Sequence, residues 1–257
     1  MASPTAGDTP LQTIVVPQGS AASAYNKTFS NLPKYDAAGT AIPYSVTEVT
    51  TRAYTTSGSG SVAAGFAFTN TLDTVDLSGQ KTWKTPTGGA YTGYRPAIRI
   101  WLTRNGADFA YRDFAATASG ATATYSYAFN DLAKYDPAGI LYTYAVKEPT
   151  VGGFTSAVTA ATYDIVNTLN SVNVKITKNW NNNGYTGTLT RPPVTVYLLN
   201  GVDKNTIANP ADSHTFPSDA SSYEYTFANQ PAGYFDGTGT YRLYTYTVAE
   251  GAVNGYT

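Results

Sequence analysis

The stretch Leu77-Ser-Gly-Gln-Lys81-Thr-Trp83 decides the fold. Leu77, Gly79, Lys81 and Trp83 alternate with Ser78, Gln80 and Thr82, so the segment reads as a β-strand with one apolar and one polar face. The apolar face is the one that packs, and it carries Lys81 inward. A buried lysine is costly unless it has a partner or a chemistry. The pattern returns 97 residues later, where Val174, Ile176, Lys178 and Trp180 share a face.

Outward from these strands the chain repeats itself. Phe29-Ser-Asn-Leu-Pro-Lys-Tyr-Asp36 matches Phe129-Asn-Asp-Leu-Ala-Lys-Tyr-Asp136, and a looser copy runs from Phe227-Ala-Asn to Tyr234-Phe-Asp236. Each copy precedes a segment expected to be a strand ending in glutamate: Tyr44 to Glu48, Tyr144 to Glu148 and Tyr246 to Glu250. Two further strands end in asparagine, Phe66 to Asn70 and Tyr163 to Asn167. A repeat of about 100 residues is the size of one β-sandwich module.

The frame of the repeat divides the chain into residues 75–169, a complete module, and two partial ones. Residues 1–74 contain the glutamate and asparagine strands but no lysine strand. Residues 170–257 contain the lysine and glutamate strands but no asparagine strand. The expected fold class is therefore all-β: tandem Ig-like sandwich modules, one complete and two partial. The spacers from Asn70 to Lys81 and from Asn167 to Lys178 are both 11 residues and lack Gly/Ser or Pro runs, which predicts a stiff rod. The incomplete end modules, and a start with neither the basic nor the apolar part of a secretory signal, lead us to expect a piece of a longer repeat array.

Composition narrows the function. Net charge is −1 and 13% of residues are charged, which argues against nucleic acid and against an electrostatic membrane surface. No apolar run is long enough to span a bilayer. Cysteine is absent, so disulfides and thiol chemistry are excluded, and one His and one Met give no basis for a metal site or any cofactor. His214, without a second His or Cys, reads as a surface residue.

The period-two rule places seven polar residues on the faces that carry their strands' apolar neighbours: Lys81, Lys178, Glu48, Glu148, Glu250, Asn70 and Asn167. Burial pushes lysine toward the neutral, nucleophilic amine and glutamate toward the neutral acid. Such an acid polarises a carboxamide and relays protons. Attack of Lys81 on Asn167 with loss of ammonia would leave an isopeptide bond, needing no cofactor. The plainer alternative is a buried Lys–Glu ion pair beside a hydrogen-bonded Asn.

The lysine stretch, Arg95-Pro96 opening the segment Ile98-Arg-Ile-Trp-Leu102, the motif from Phe129 to Asp136, Tyr-Ala-Val-Lys-Glu148 and Val-Asn167-Thr together resemble the B-type domain of collagen adhesins (Cna-B-like). Lys178-Asn-Trp180, Arg191-Pro192 and Glu250 repeat it. This family builds stalks and pilin shafts on Gram-positive bacteria. The resemblance implies a Lys81–Asn167 cross-link promoted by Glu148. Glu48 and Glu250 are the matching acids of the partial modules, and Asn70 and Lys178 are left without a cross-linking partner. It implies a structural spacer at the cell surface or cell wall, not an enzyme, with neighbouring repeats as partners. The alternative is an adhesin module that grips a host surface protein or glycan through loops or Tyr-rich faces.

Overall fold

Period-two alternation over most of the chain produces strands and no α-helix among the described residues. In a computed structural model, these are residues 9–17, 20–49, 52–120, 122–220 and 222–256. One 3-10 turn lies at Ala22–Tyr25. The strands are β1 (Tyr54–Ser61), β2 (Gly65–Leu72), β3 (Thr74–Lys84), β4 (Ile98–Arg104), β5 (Ala107–Phe114), β6 (Thr124–Ala133), β7 (Tyr144–Lys147), β8 (Phe154–Thr159), β9 (Asp164–Leu169), β10 (Ser171–Thr177), β11 (Val194–Leu199), β12 (Asp212–Phe216), β13 (Glu224–Pro231), β14 (Gly233–Phe235), β15 (Tyr241–Leu243) and β16 (Thr247–Glu250). The chain divides into two compact units, residues 1–75 with 133–141, and residues 76–132 with 142–257.

In the second unit, the middle module sets the sheet β6-β3-β9-β8 against β5-β4-β7. Alternate residues of each strand fill the space between: Leu77 and Trp83, Ile100 and Leu102, Phe129, Val146, Ile165 and Leu169 are all buried. Burial of these side chains is the main stabilising contribution, about 1.5–3 kcal/mol for each large aliphatic or aromatic group. β3 and β9 run parallel, with Lys81 opposite Ile165 and Trp83 opposite Asn167. Gly79 is needed here. A Cβ at this position would lie 2.5 Å from the Tyr163 carbonyl, which accepts the Tyr127 hydroxyl.

The third module, in the same unit, repeats the plan with β10 on β13 and β12-β11-β16. Its core is Val194, Val196, Leu198, Phe216 and Phe227. Within the described residues no strand follows β16, so β10 lacks the neighbour that β9 gives β3. The two modules meet through aromatic rings, Phe154 stacking on Phe235 at 6.0 Å and Tyr94 packing on Phe235 at 5.3 Å. Asn170 N–H bonds to Gly153 O and Ala232 N–H to Asn170 O at the same joint.

The first unit contains the β1–β2 hairpin and little buried surface. Tyr44 to Glu48 is not in a strand, contrary to the expectation from its pattern. Its counterparts β7 and β16 are ordered by pairing with β4 and β11, and among the described residues no strand pairs with residues 44–48.

The repeated Phe…Asp motif has one structure three times. Asp36, Asp136 and Asp236 each accept backbone N–H bonds from residues two and four ahead, at 2.8–3.0 Å. This is the turn-forming use of aspartate. Asn31, Asp131 and Asn229 occupy the left-handed region at φ 60°, 55° and 54°, which short polar side chains tolerate best.

Candidate functional site

Three strands of the middle module build the site. Lys81 lies on β3, Asn167 on β9, and Glu148 directly follows β7 in the facing sheet. Lys81 and Asn167 are on neighbouring strands, offset by one residue of the shared face. Strand geometry puts their backbones about 4.8 Å apart across the ladder and about 7 Å apart along it. An extended lysine spans that diagonal. Glu148 crosses the sandwich, and its Oε2 lies 3.1 Å from Lys81 Nζ, with both side chains fully shielded from solvent.

The surroundings are apolar and aromatic. Lys81 Nζ sits 4.5 Å from the centre of the Trp83 ring, which also meets Phe154 in a T-shaped contact at 4.7 Å. Burial lowers the Lys81 pKa from 10.5 to about 8, against the opposing pull of the Glu148 charge and hydrogen bond. Ser156 Oγ donates to Glu148 Oε2 at 3.2 Å. Glu148 Oε1 and both polar atoms of the Asn167 carboxamide are buried without a hydrogen-bond partner among protein atoms. Three orphaned polar atoms in one cluster are unusual, because each costs about 1–3 kcal/mol.

The other two repeat segments differ. Lys178 Nζ lies 3.0 Å from Glu250 Oε2, but the two side chains keep 16% and 35% of their exposure. Lys178 also stands 4.5 Å over Trp180, which Tyr256 covers as Phe154 covers Trp83. In the first unit, Asn70 Nδ2 donates to Glu48 Oε1 at 2.8 Å, both residues exposed, and Thr56 Oγ1 donates to Asn70 Oδ1. The expected inward register thus holds as burial for Lys81, Glu148 and Asn167. It does not for Glu48, Asn70 and Glu250, which face solvent because no strand among the described residues covers them.

Ser156, which donates to Glu148, is a contributor the sequence reading missed. Ser156 is the Cα partner of Asn167 across the β8–β9 ladder, as Thr56 is of Asn70 in β1–β2, and that shared register was the available signal. His214 is half-buried on β12 and stacks on Tyr225 at 3.6 Å. No cluster of His, Cys, Asp and Glu suited to a metal occurs among the described residues.

The chain matches the Cna protein B-type domain over residues 6–71, 77–168 and 174–257, and it belongs to that family. It is thus a tandem of non-enzymatic structural repeats. It is 32% identical to the collagen adhesin of Staphylococcus aureus over 162 residues, which are 61% of this chain and 13% of that protein's length. Among solved structures, the two B repeat units of the S. aureus collagen-binding protein are 25% identical, covering 88% of this chain and 57% of that one, with a TM-score of 0.31. The full-length major pilin RrgB of Streptococcus pneumoniae is 16% identical, covering 56% and 28%, with a TM-score of 0.26.

Proposed function

We propose that this chain is a spacer segment of a bacterial surface protein, its residues 75–169 forming a module locked by a Lys81–Asn167 isopeptide bond. The observation that carries the reading is the Asn167 carboxamide, buried and without a hydrogen-bond partner beside the Lys81–Glu148 pair. A purely structural ion pair with a satisfied Asn does not account for it.

The chemistry balances without a cofactor. The neutral Lys81 amine attacks Asn167 Cγ. Glu148, as the acid, hydrogen-bonds the carboxamide and stabilises the charge that develops on its oxygen. The N–Cγ bond forms, the Cγ–Nδ2 bond breaks, and the amine proton passes through the Glu148 carboxyl to the departing nitrogen, which leaves as ammonia. The fold holds nucleophile and electrophile together, and proximity of this kind lowers a barrier by about 7–11 kcal/mol.

The mechanical consequence follows from topology. The lysine lies on the module's first strand and the asparagine on its last, so tension on the two ends loads the cross-link. The bond closes a loop of about 87 residues, worth about 4–5 kcal/mol in the chain-entropy treatment used for disulfides. Residues 1–74 and 170–257 are, on the same reading, partial modules whose Glu48, Asn70, Lys178 and Glu250 have no complete triad within the chain.

The binding alternative has less support. The exposed rings of the β4–β5 face are capped by arginines, Arg99 lying 3.9 Å from the Tyr111 ring and Arg104 3.9 Å from Phe109. Denatured intact mass decides the proposal: the chain is expected to weigh one ammonia less than its sequence, and the Lys81→Ala protein to weigh its full sequence mass. A full mass for the folded parent chain overturns it.

A further inference from the structure

Lys81 meets Asn167 only while β9 lies on β3 in one register. The parallel ladder between them runs from Lys81 opposite Ile165 to Lys84 opposite Thr168. Burial of Ile165, Asn167 and Leu169 on one face forbids a slip of one residue, which would turn all three outward. A slip of two keeps the same face buried and moves Asn167 along β3 by about 7 Å. β8 pairs with β9 as a hairpin and would slide with it. Alternation therefore leaves the two-residue slip open, and a contact at the entry of β9 has to close it.

Two side chains make that contact. β6 is the other neighbour of β3. From it the buried Tyr127 donates its hydroxyl to the Tyr163 carbonyl, at the last residue before β9. The bond passes over the bare Cα of Gly79, where a Cβ would lie 2.9 Å from the hydroxyl and 2.5 Å from the carbonyl oxygen. Tyr163 itself sits at φ 57°, an uncommon conformation for an aromatic residue. One residue on, Asp164 Oδ1 accepts the Gln80 N–H at 2.8 Å and Oδ2 accepts the Thr162 hydroxyl at 2.7 Å. Gln80 and Asp164 directly precede the first ladder pair, so a two-residue slip breaks both links between the strands. Burial, then the Asp164 and Glu148 charges, raise the Tyr127 pKa, so the hydroxyl keeps the proton it donates.

Among the described residues this set occurs in the middle repeat alone. β10 carries Ile176 where β3 has Gly79, and β2 has Phe66 and Ala67 in its extended run where the entry of β9 has Tyr163 and Asp164. Tyr225, the counterpart of Tyr127, stacks on His214 instead.

We propose that Tyr127 and Asp164 are positioning residues for the cross-link: with Gly79 between them, they set the register of β9 on β3 and so choose the carboxamide that Lys81 meets. The inference rests on the Lys81–Asn167 chemistry proposed above. Both residues act through β9 and take no part in the bond change.

The test starts from the 257-residue chain recovered unfolded in denaturant at its full sequence mass. It is diluted into buffer, and ammonia loss is followed by intact mass. Tyr127→Phe removes one oxygen and should slow the loss about tenfold, the effect of one hydrogen bond no longer favouring the productive register. Asp164→Ala should do the same, and Asp164→Asn, which keeps an acceptor for the Gln80 N–H, should recover most of the rate. Tyr125→Phe makes the same change on the same strand, but that hydroxyl bonds Thr117 and not the entry of β9; it should match the parent. Equal slowing in Tyr125→Phe, or a parental rate in either Tyr127→Phe or Asp164→Ala, would overturn the inference and leave the cross-link standing. A parent chain that keeps its full mass defeats the cross-link instead, and the register is then read by hydrogen exchange in the same proteins. Exchange of β9 amides about tenfold faster in Tyr127→Phe than in Tyr125→Phe upholds the register lock, and equal exchange overturns it.

Discussion

The middle and third modules place the same residue types at the same spacing, yet only one encloses its lysine. Lys81 and Glu148 are fully buried, while Lys178 and Glu250 make an ion pair of nearly the same length with one side open to water. The Trp ring under each lysine lies at the same distance. What separates them is β9, which lays Ile165, Asn167 and Leu169 over the middle core. One strand therefore changes an ordinary half-exposed ion pair into a desolvated amine facing an unpartnered carboxamide. The electrostatic meaning of a lysine is set by what covers it, not by the strand that carries it.

Acid removal should separate the modules most strongly. Glu148→Ala is expected to abolish ammonia loss and with it the loop closure worth about 4–5 kcal/mol. It also strands a buried amine, where breaking a buried pair costs about 3–5 kcal/mol. Glu250→Ala removes an exposed partner and should cost no more than about 1 kcal/mol. Chemical denaturation of both variants, with their masses, checks the contrast; equal losses would mean that β9 does not matter in the way described.

A pH series sharpens the same contrast. In Asn167→Ala, which keeps the Lys81–Glu148 pair but has no link, native Lys81 releases its proton near pH 8 while the unfolded chain holds it to about 10.5. Between those values the unfolded state binds more protons, so stability rises with pH, by about 3 kcal/mol over the whole window. Below pH 8 the lysine contributes no slope. Urea midpoints at pH 7.5 and 9.5 should show the rise, and Lys81→Met in the same background should remove it.

The apolar neighbours should follow. Val146→Ala empties a buried position and is expected to cost about 2 kcal/mol, from two lost methyl equivalents and a partly relaxed cavity. Val248→Ala, at the half-exposed counterpart, should stay within about 0.5 kcal/mol in dilute protein. Hydrogen exchange gives the smallest effect: amides of β10 and β2 should exchange faster than those of β3 and β9, because each lacks a pairing neighbour.

Much of this architecture was legible beforehand. Alternation located the lysine and asparagine strands, because side chains on a strand must alternate whatever surrounds it. The 97-residue spacing of Lys81 to Lys178 and Asn70 to Asn167 gave the modular repeat, and the family match spans all three segments. The Asp36, Asp136 and Asp236 turns were visible as a motif, since the hydrogen bonds that make them lie within five residues.

Where the reading failed, the cause was non-local. Tyr44 to Glu48 has the alternation of a strand, but a strand needs a ladder, and among the described residues it has no counterpart of the partners that order β7 and β16. Glu48, Asn70 and Glu250 share faces with apolar residues and still meet water. Local period assigns a face; burial of that face depends on a second sheet or strand distant in sequence. The amino-acid sequence by itself determined most of the strands and the alternation of their faces, the repeat and the residue types of the site, although residues 44–48 and 178–180 lie outside strands. Only the tertiary structure decided that one lysine of two is enclosed and that, among the described residues, the Asn167 carboxamide has no hydrogen-bond partner, because desolvation is a property of packing and not of pattern.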